Sequence, residues 1–309
     1  VTKPNRRILV IRLGALGDFV MSFGPFQAIR RVHARDHIVL LTTRPFAALA
    51  ERSGWFDEIW LDERPSAFQF GLWLSLRRRL KAGRFDRVYD LQTSDRSSFY
   101  FQLMRPGVPE WSGIAAGCSH PHRGERRNLL HTRDRQAEQL ALAGIEQIEA
   151  PDLAWLTADV VSFDLPPRYA LLFPGSAPHR VEKRWPSKSF AALAQDLVEH
   201  GVTPVLLGTE QDRAMIEEIK QLWPTIIDLC GRTDLFQLGE LARHAAATIG
   251  SDTGPVHLAA AVGCPTVMLV SSASPGSLRE AGASEATVLS RERLADLSVA
   301  EVAANLSLG

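Results

Sequence analysis

The sequence predicts an α/β protein with parallel sheets arranged as two domains. Three observations carry that expectation. Short apolar runs alternate with longer amphipathic stretches along the chain, which is the rhythm of βαβ units. The rhythm stops at a proline-bearing stretch, Ala150-Pro151-Asp152 to Pro166-Pro167, and then restarts. At 309 residues the chain has the length of two ordinary domains. The expected division is 1–150 and 151–309, two Rossmann-like domains facing each other across a cleft.

In the first half, Arg7–Arg12 reads as a strand and Phe19–Val32 as a helix. Further strands are expected at His37–Leu41, Glu58–Leu61 and Arg87–Leu91, with helical segments at Pro45–Arg52 and Phe68–Lys81 between them. Pro106–Leu130 has little periodicity and reads as a long loop. Helical spacing returns over Asp134–Ala143. In the second half, strands are expected at Tyr169–Phe173, Thr203–Leu207, Ala247–Ile249 and Thr266–Val270. Ser187–His200, Asp212–Leu222, Phe236–His244 and Pro255–Val262 read as the helices between them.

Composition narrows the class. Hydrophobic residues at 45% and charged residues at 23% exclude wholesale disorder. No apolar run approaches the roughly 18 residues of a spanning helix. The run Ile8–Ile11 before Arg12 is too short for a secretory signal. Cys118, Cys230 and Cys264 form no paired framework, so a cytoplasmic location is expected. The net charge of zero hides an asymmetry. Residues 1–150 hold 23 Lys+Arg against 16 Asp+Glu, and residues 151–309 hold 12 against 19. A first half at +7 suits an anionic partner; 30 of the 35 basic residues are arginine, a bias that high-GC coding would give without any function.

Function in parallel sheets gathers at the carboxyl ends of strands. The first such loop is Leu13-Gly14-Ala15-Leu16-Gly17-Asp18, whose glycine spacing is not the dinucleotide fingerprint. Asp18 there reads either as a helix cap or as a functional carboxylate. The second is Phe173-Pro174-Gly175-Ser176 with Lys183-Arg184-Trp185-Pro186, a phosphate site or a solvated loop around a structural tryptophan. The third is Gly250-Ser251-Asp252-Thr253-Gly254-Pro255-Val256-His257, with Pro255 at the opening of a helix. Thr253, Gly254 and Val256 would turn backbone donors toward an anion, while Asp252 reads as a cap or a ligand and His257 as a core histidine or a ligand.

Several constellations are absent from the sequence: Asp-x-Asp, a P-loop, His-Glu-x-x-His and Gly-x-Ser-x-Gly. Cys118-Ser119-His120-Pro121-His122 gathers ligand-type residues without a spaced second pair, so no metal is expected. Arg77-Arg78-Arg79 with Lys81 fits a solvated helix face or a membrane-surface contact.

Taken in order, these loops resemble glycosyltransferase family 9, which includes the ADP-heptose:lipopolysaccharide heptosyltransferases. The resemblance runs from Ile8-Leu9-Val10-Ile11-Arg12-Leu13-Gly14-Ala15-Leu16-Gly17-Asp18 through Asp90-Leu91-Gln92 with Arg96-Ser97. It continues with Pro174-Gly175-Ser176, Lys183-Arg184-Trp185-Pro186 and Gly231-Arg232-Thr233, and ends with Ser251 to Ala260. It implies the GT-B fold, with acceptor bound by the first domain and nucleotide sugar by the second. It also implies inverting transfer without a metal or other cofactor, in keeping with the missing Asp-x-Asp. Asp18 would be the general base. Gly17, Ser176, Lys183, Asp252, Thr253, Gly254 and His257 would face the donor, and Asp212, with Glu210 as the alternative, would hold its ribose. Gln92 and Arg96 would face the acceptor. The acceptor of typical members is an anionic lipopolysaccharide inner core, for which Arg123, Arg126, Arg127, Arg133 and Arg135 are candidates. Such an enzyme would work at the inner face of the inner membrane and has no need of nucleic acid.

The chain departs from the family in Ser271-Ser272-Ala273-Ser274-Pro275, where a Gly-Pro-Thr-x-Pro turn is usual. The loop Gly117–Arg127 matches no family pattern. A different nucleotide sugar on a different glycan, a nucleotide-sugar epimerase and a non-catalytic scaffold are the rival readings.

Overall fold

The computed structural model describes residues 5–176, 180–272, 274 and 286–306. The chain divides into two compact units, Val1–Trp155 and Leu156–Gly309. Trp155 belongs to the first because its ring packs on Phe23 and Trp55, with centroids 5.9 and 5.6 Å away.

The first unit is built on β1 (Arg7–Ile11), α1 (Leu16–Val20), α2 (Phe23–Val32), β2 (His37–Thr42), α3 (Arg44–Ser53), β3 (Glu58–Leu61), α4 (Phe70–Ala82) and β4 (Arg87–Asp90). It continues with α5 (Asp95–Leu103), β5 (Glu110–Gly113), β6 (His120–Pro121), α6 (Glu125–Leu129) and α7 (Thr132–Leu142). Its strands form one parallel sheet in the order β3-β2-β1-β4-β5-β6. The central strand β1 is covered on both faces, which is why Ile8 to Ile11 form an uninterrupted apolar run.

The second unit repeats the plan: β7 (Tyr169–Phe173), α8 (Ser187–Glu199), β8 (Thr203–Leu206), α9 (Arg213–Leu222), β9 (Ile227–Asp228) and α10 (Leu235–His244). Then follow β10 (Ala247–Ser251), α11 (Gly254–Ala261), β11 (Thr266–Val270), β12 (Thr287–Ser290) and α12 (Val299–Ala303). The strand order β12-β11-β10-β7-β8-β9 gives the same doubly wound topology. Both units are Rossmann-like.

Three expectations need correction. The single helix over Phe19–Val32 is two, α1 and α2. Pro25 has no N–H to give residue 21, so the backbone ladder cannot run through. The expected loop Pro106–Leu130 contains β5, β6 and α6, with Trp111 fully buried in the core. The helix α5 was not expected. Ser94 starts it with a capping box in which its hydroxyl accepts from Ser97 N and Ser97 answers its own N–H.

Among the described residues no helix is long and apolar enough to cross a membrane. All three cysteines are buried thiols. Ala273 and Pro275 of the unusual turn lie outside the described residues.

Candidate functional site

Each sheet reverses its winding direction once, between β1 and β4 in the first unit and between β7 and β10 in the second. At such a switch point the loops diverge and leave a crevice beyond the strand ends. Asp18 and Gln92 follow the strands at the first of these places, and Lys183, Asp252 and His257 meet at the second, so each unit carries its own cluster.

In the first unit, the register sets Ile11 beside Asp90. The chain beyond β1 therefore runs along the chain beyond β4. Leu13 N donates to Gln92 Oε1 at 2.7 Å, so Gln92 acts as a brace for the glycine loop. Gly14 adopts φ +119°, and a Cβ there would sit 2.6 Å from the Phe46 ring. Glycine is required on both counts. Ala15 occupies the cap position of α1, which leaves Asp18 in its first turn rather than at its cap. The Asp18 carboxylate, 41% exposed, lies 3.1 Å from Arg12 Nη2, whose side chain is 4% exposed. Arg12 Nη1 donates to the Leu91 carbonyl. Burial lowers the Arg12 pKa, with the charges of Asp18 and Asp90 opposing.

Asp90 is fully buried at the end of β4. Burial pushes its pKa up to about 6, against hydrogen bonds from Thr93 and Ser97 and the charge of Arg12. Arg127 reaches the same loop, donating from Nη2 to Thr93 Oγ1 at 2.6 Å. Arg135 lies close enough for its charge to lower the pKa of both Arg12 and Arg127, while Arg96, Arg123 and Arg126 make their bonds elsewhere. Arg96 donates to the Pro65 carbonyl at 3.1 Å and lies 5.4 Å from the Trp73 ring centroid. Arg123 donates to the Ile114 carbonyl at 2.8 Å, and exposed Arg126 lies 3.3 Å from Glu138. Arg133 donates its backbone N–H to His131 Nδ1 at 3.4 Å, and Arg135 donates to Thr132 Oγ1 at 2.9 Å. Gly17 is the second residue of α1, its carbonyl accepting from Met21 N at 2.9 Å.

In the second unit, the register sets Gly250 beside Phe173. A Cβ on Gly250 would lie 2.7 Å from Phe173 Cβ, so the close approach of β10 to β7 depends on this glycine. Beyond the strands, Lys183 Nζ donates to Asp252 Oδ2 at 2.9 Å. His257 Nε2 lies 3.1 Å from Asp252 Oδ1, and Ser274 Oγ donates to Oδ2 at 3.2 Å. All three ionisable side chains are nearly buried, at 14% exposure for Lys183, 10% for Asp252 and 11% for His257. Burial alone would raise the Asp252 pKa. The hydrogen bonds and charges of His257 and Lys183 outweigh it and hold the carboxyl far below the usual carboxylate range.

Asp252 is thus not a cap. Thr253 takes the cap position of α11 and Gly254 is its first residue, so Asp252 immediately precedes the helix end that carries the free first-turn N–H groups. His257 is a buried histidine whose ring is satisfied by Asp252. Ser176 Oγ donates to the Arg180 carbonyl at 2.8 Å and accepts from Arg184 Nε at 3.1 Å. Trp185 is fully buried, and its Nε1 donates to the Leu297 carbonyl at 3.0 Å, which anchors the segment bearing Lys183.

Asp212 accepts from Thr209 N at 2.9 Å and Thr209 Oγ1 at 3.0 Å, and its carboxylate fills the space a Cβ on Gly175 would need. It therefore lies against the loop that follows β7. Glu210 turns away to Arg213 Nη2 at 3.0 Å.

Arg12, Asp90 and Ser274 stand in motifs read from the sequence but were given no role there. For the first two a signal existed: a charged residue that ends a buried apolar strand. Among the described residues no three His, Cys, Asp or Glu side chains converge as a metal cluster, and His122 of the Cys118–His122 stretch lies 3.3 Å from Glu138.

The family model described as glycosyltransferase family 9 (heptosyltransferase) matches residues 73–305. Lipopolysaccharide heptosyltransferase 2 of Escherichia coli strain K12 is 28% identical over 87% of this chain and 84% of its own length. Lipooligosaccharide heptosyltransferase 2 of Haemophilus influenzae is 35% identical over a shorter stretch, 30% of this chain and 28% of that relative. The structure of E. coli heptosyltransferase WaaC with ADP-2-deoxy-2-fluoro heptose superposes with a TM-score of 0.74 at 17% identity, covering 96% of this chain and 98% of the other.

Proposed function

The chain belongs to glycosyltransferase family 9 and is a glycosyltransferase with the GT-B fold. From that membership we propose that it transfers a heptose from ADP-heptose to a lipopolysaccharide core sugar, with inversion and without a metal. The observation that carries the donor half is the joining of Lys183, Asp252 and His257 at the switch point of the second unit, beside the start of α11.

In this reading the acceptor hydroxyl oxygen attacks the anomeric carbon from the face opposite the nucleotide. The bond from that carbon to the pyrophosphate oxygen breaks, ADP leaves with the electron pair, and the hydroxyl proton passes to Asp18. Negative charge grows on the departing pyrophosphate. Lys183 and the first-turn N–H groups of α11 stabilise it, which is the work a divalent ion does in enzymes with Asp-x-Asp. Asp212 holds the ribose.

Chemistry supports Asp18 as the base over the other two carboxylates. A general base must come within hydrogen-bond reach of the acceptor hydroxyl and be able to take up its proton. Asp90 is sealed in the core, and Asp252 is held ionised by its hydrogen bonds with His257 and Lys183. Asp18 is exposed, with buried Arg12 fixing its orientation from below. Gln92, Arg96, Arg123, Arg126, Arg127 and Arg133 would face an anionic glycolipid acceptor, and the enzyme would act at the inner face of the inner membrane.

A second reading keeps the fold and changes the donor to another nucleotide sugar. It is favoured by the turn after β11, where Ser274 bonds Asp252. Calorimetric titration with ADP, UDP, GDP and CMP, each in EDTA, separates the two. Selective ADP binding that survives EDTA supports the ADP-sugar reading. Preference for UDP or GDP supports the second, and no binding of any nucleotide would leave a non-catalytic scaffold.

A further inference from the structure

Helix α4 carries apolar side chains on two sides. Its inner side places Leu80 in the core, with Trp73 and Leu76 packed against it. Its outer side carries Phe70 and Leu74 at 75% and 46% exposure, and Phe68 just before the helix is 86% exposed. Residues 70, 74 and 78 fall on one stripe, so Arg78 continues the line that Phe70 and Leu74 begin. Exposed Phe99 of α5 packs edge-on against Trp73 at 5.1 Å and extends the apolar area.

The same segment is free of acids. Between Glu63 and Asp86 the sequence holds Arg64, Arg77, Arg78, Arg79, Lys81 and Arg84 and no carboxylate side chain. Some of these cations are held in place: Arg79 lies 4.3 Å from the Trp60 ring centroid, and Arg77 donates to the Arg105 carbonyl at 3.1 Å. Single exposed apolar side chains are ordinary. Three large ones beside this run of cations, of which Arg79 feels the charge of Glu58, are not explained by packing within the chain.

We propose that α4 and the turn before it dock on an anionic lipid bilayer, with Phe68, Phe70 and Leu74 entering the headgroup boundary and Arg78 and Lys81 facing lipid phosphates. The occupant follows from charge complementarity. Aromatic and aliphatic side chains next to lysine and arginine are the composition of an interfacial helix, and each cation adds attraction that salt screens within a Debye length. The inference deepens the proposed action on a membrane-held glycolipid. It stands apart from the donor assignment, because its test uses vesicles that contain no acceptor.

The full chain is centrifuged with phosphatidylglycerol/phosphatidylethanolamine vesicles and with phosphatidylcholine vesicles, at low and high salt. Wild type is expected to bind the anionic vesicles at low salt and to bind the neutral ones weakly. The variant Phe68→Ser, Phe70→Ser, Leu74→Ser is expected to lose about ten-fold or more in partition coefficient. The variant Arg78→Glu, Lys81→Glu is expected to lose the salt-sensitive part of binding. All replaced side chains are exposed or partly exposed, and thermal melting with ADP titration checks that the variants fold. Equal vesicle binding by wild type and the serine variant would overturn the proposal, as would a wild type that ignores anionic vesicles. A wild type that self-associates in ultracentrifugation, with the serine variant monomeric and vesicle binding unchanged, would assign the patch to a second copy and overturn it too.

Discussion

Lys183 and Asp252, separated by 69 residues, meet across the switch point of the second sheet with Nζ 2.9 Å from Oδ2. Asp252 also lies 3.1 Å from His257, so one carboxylate holds two cation-capable groups at the start of α11. A lysine fixed in this way keeps its charge aimed at the crevice without losing rotamer freedom when a phosphate arrives.

Lys183→Met should therefore weaken ADP binding by about ten- to hundred-fold, the range of one charged hydrogen bond. Asp252→Asn should weaken it as well and should also destabilise the fold, by about 3 kcal/mol, because it leaves a largely buried ammonium without its carboxylate. Calorimetry and urea unfolding measure the two effects. The folded Asp252 pKa lies below the unfolded value, so the contribution of this carboxylate is present above about pH 4 and is lost as pH falls further.

Asp90 acts in the opposite direction. Its pKa rises from the ordinary carboxylate range to about 6 in the folded protein, so between those values the native state binds more protons than the unfolded chain. Stability from this group falls as pH rises through that window. Asp90→Asn abolishes the titration. The stability of the variant minus that of wild type should climb between about pH 4 and pH 6 and then level off, by about 3 kcal/mol in all. A difference that stays flat across these pH values would contradict the account.

Trp185 anchors the segment that carries Lys183. Removing its ring in Trp185→Ala should cost about 3–5 kcal/mol through the cavity left among Phe190 and its neighbours. Trp185→Phe keeps most of the packing and leaves the Leu297 carbonyl without its donor, at a cost of about 1–3 kcal/mol. Melting curves of the two variants should rank them in that order.

Arg127 is the candidate arginine that reaches the loop beyond β4. Arg127→Ala should raise KM for an anionic acceptor about ten-fold or more while leaving ADP binding unchanged. The wild-type KM for the acceptor should itself rise with salt, since exposed charges are screened beyond about 8 Å at physiological ionic strength.

The strands at the centre of each sheet were legible because burial on both faces demands unbroken apolar runs, as in Ile8–Ile11 and Tyr169–Phe173. The edge strands β6 and β9 were not, because two residues carry no period, and β5 beside β6 was missed with them. Helix α5 was hidden by its serines and aromatics, and only its capping box marks it. The site loops were legible as motifs. Their internal wiring was not: whether Asp252 caps its helix or grips Lys183 depends on the register that sets Gly250 beside Phe173, and register is a property of the folded sheet. Arg12 could have been noticed as a charge ending a buried strand, but its pairing with Asp18 depends on the turn at Gly14.

The central claim is transfer from an ADP-linked heptose with Asp18 as the base. The most direct measurement follows ADP release and acceptor glycosylation in EDTA, from ADP-heptose and a heptose-deficient lipopolysaccharide core, for wild type and Asp18→Asn. The account predicts stoichiometric ADP and glycosylated acceptor with wild type, and a rate about 10²- to 10⁴-fold lower for the variant at undiminished ADP affinity. Full transfer by Asp18→Asn, or transfer by wild type only from a different nucleotide sugar, would contradict it.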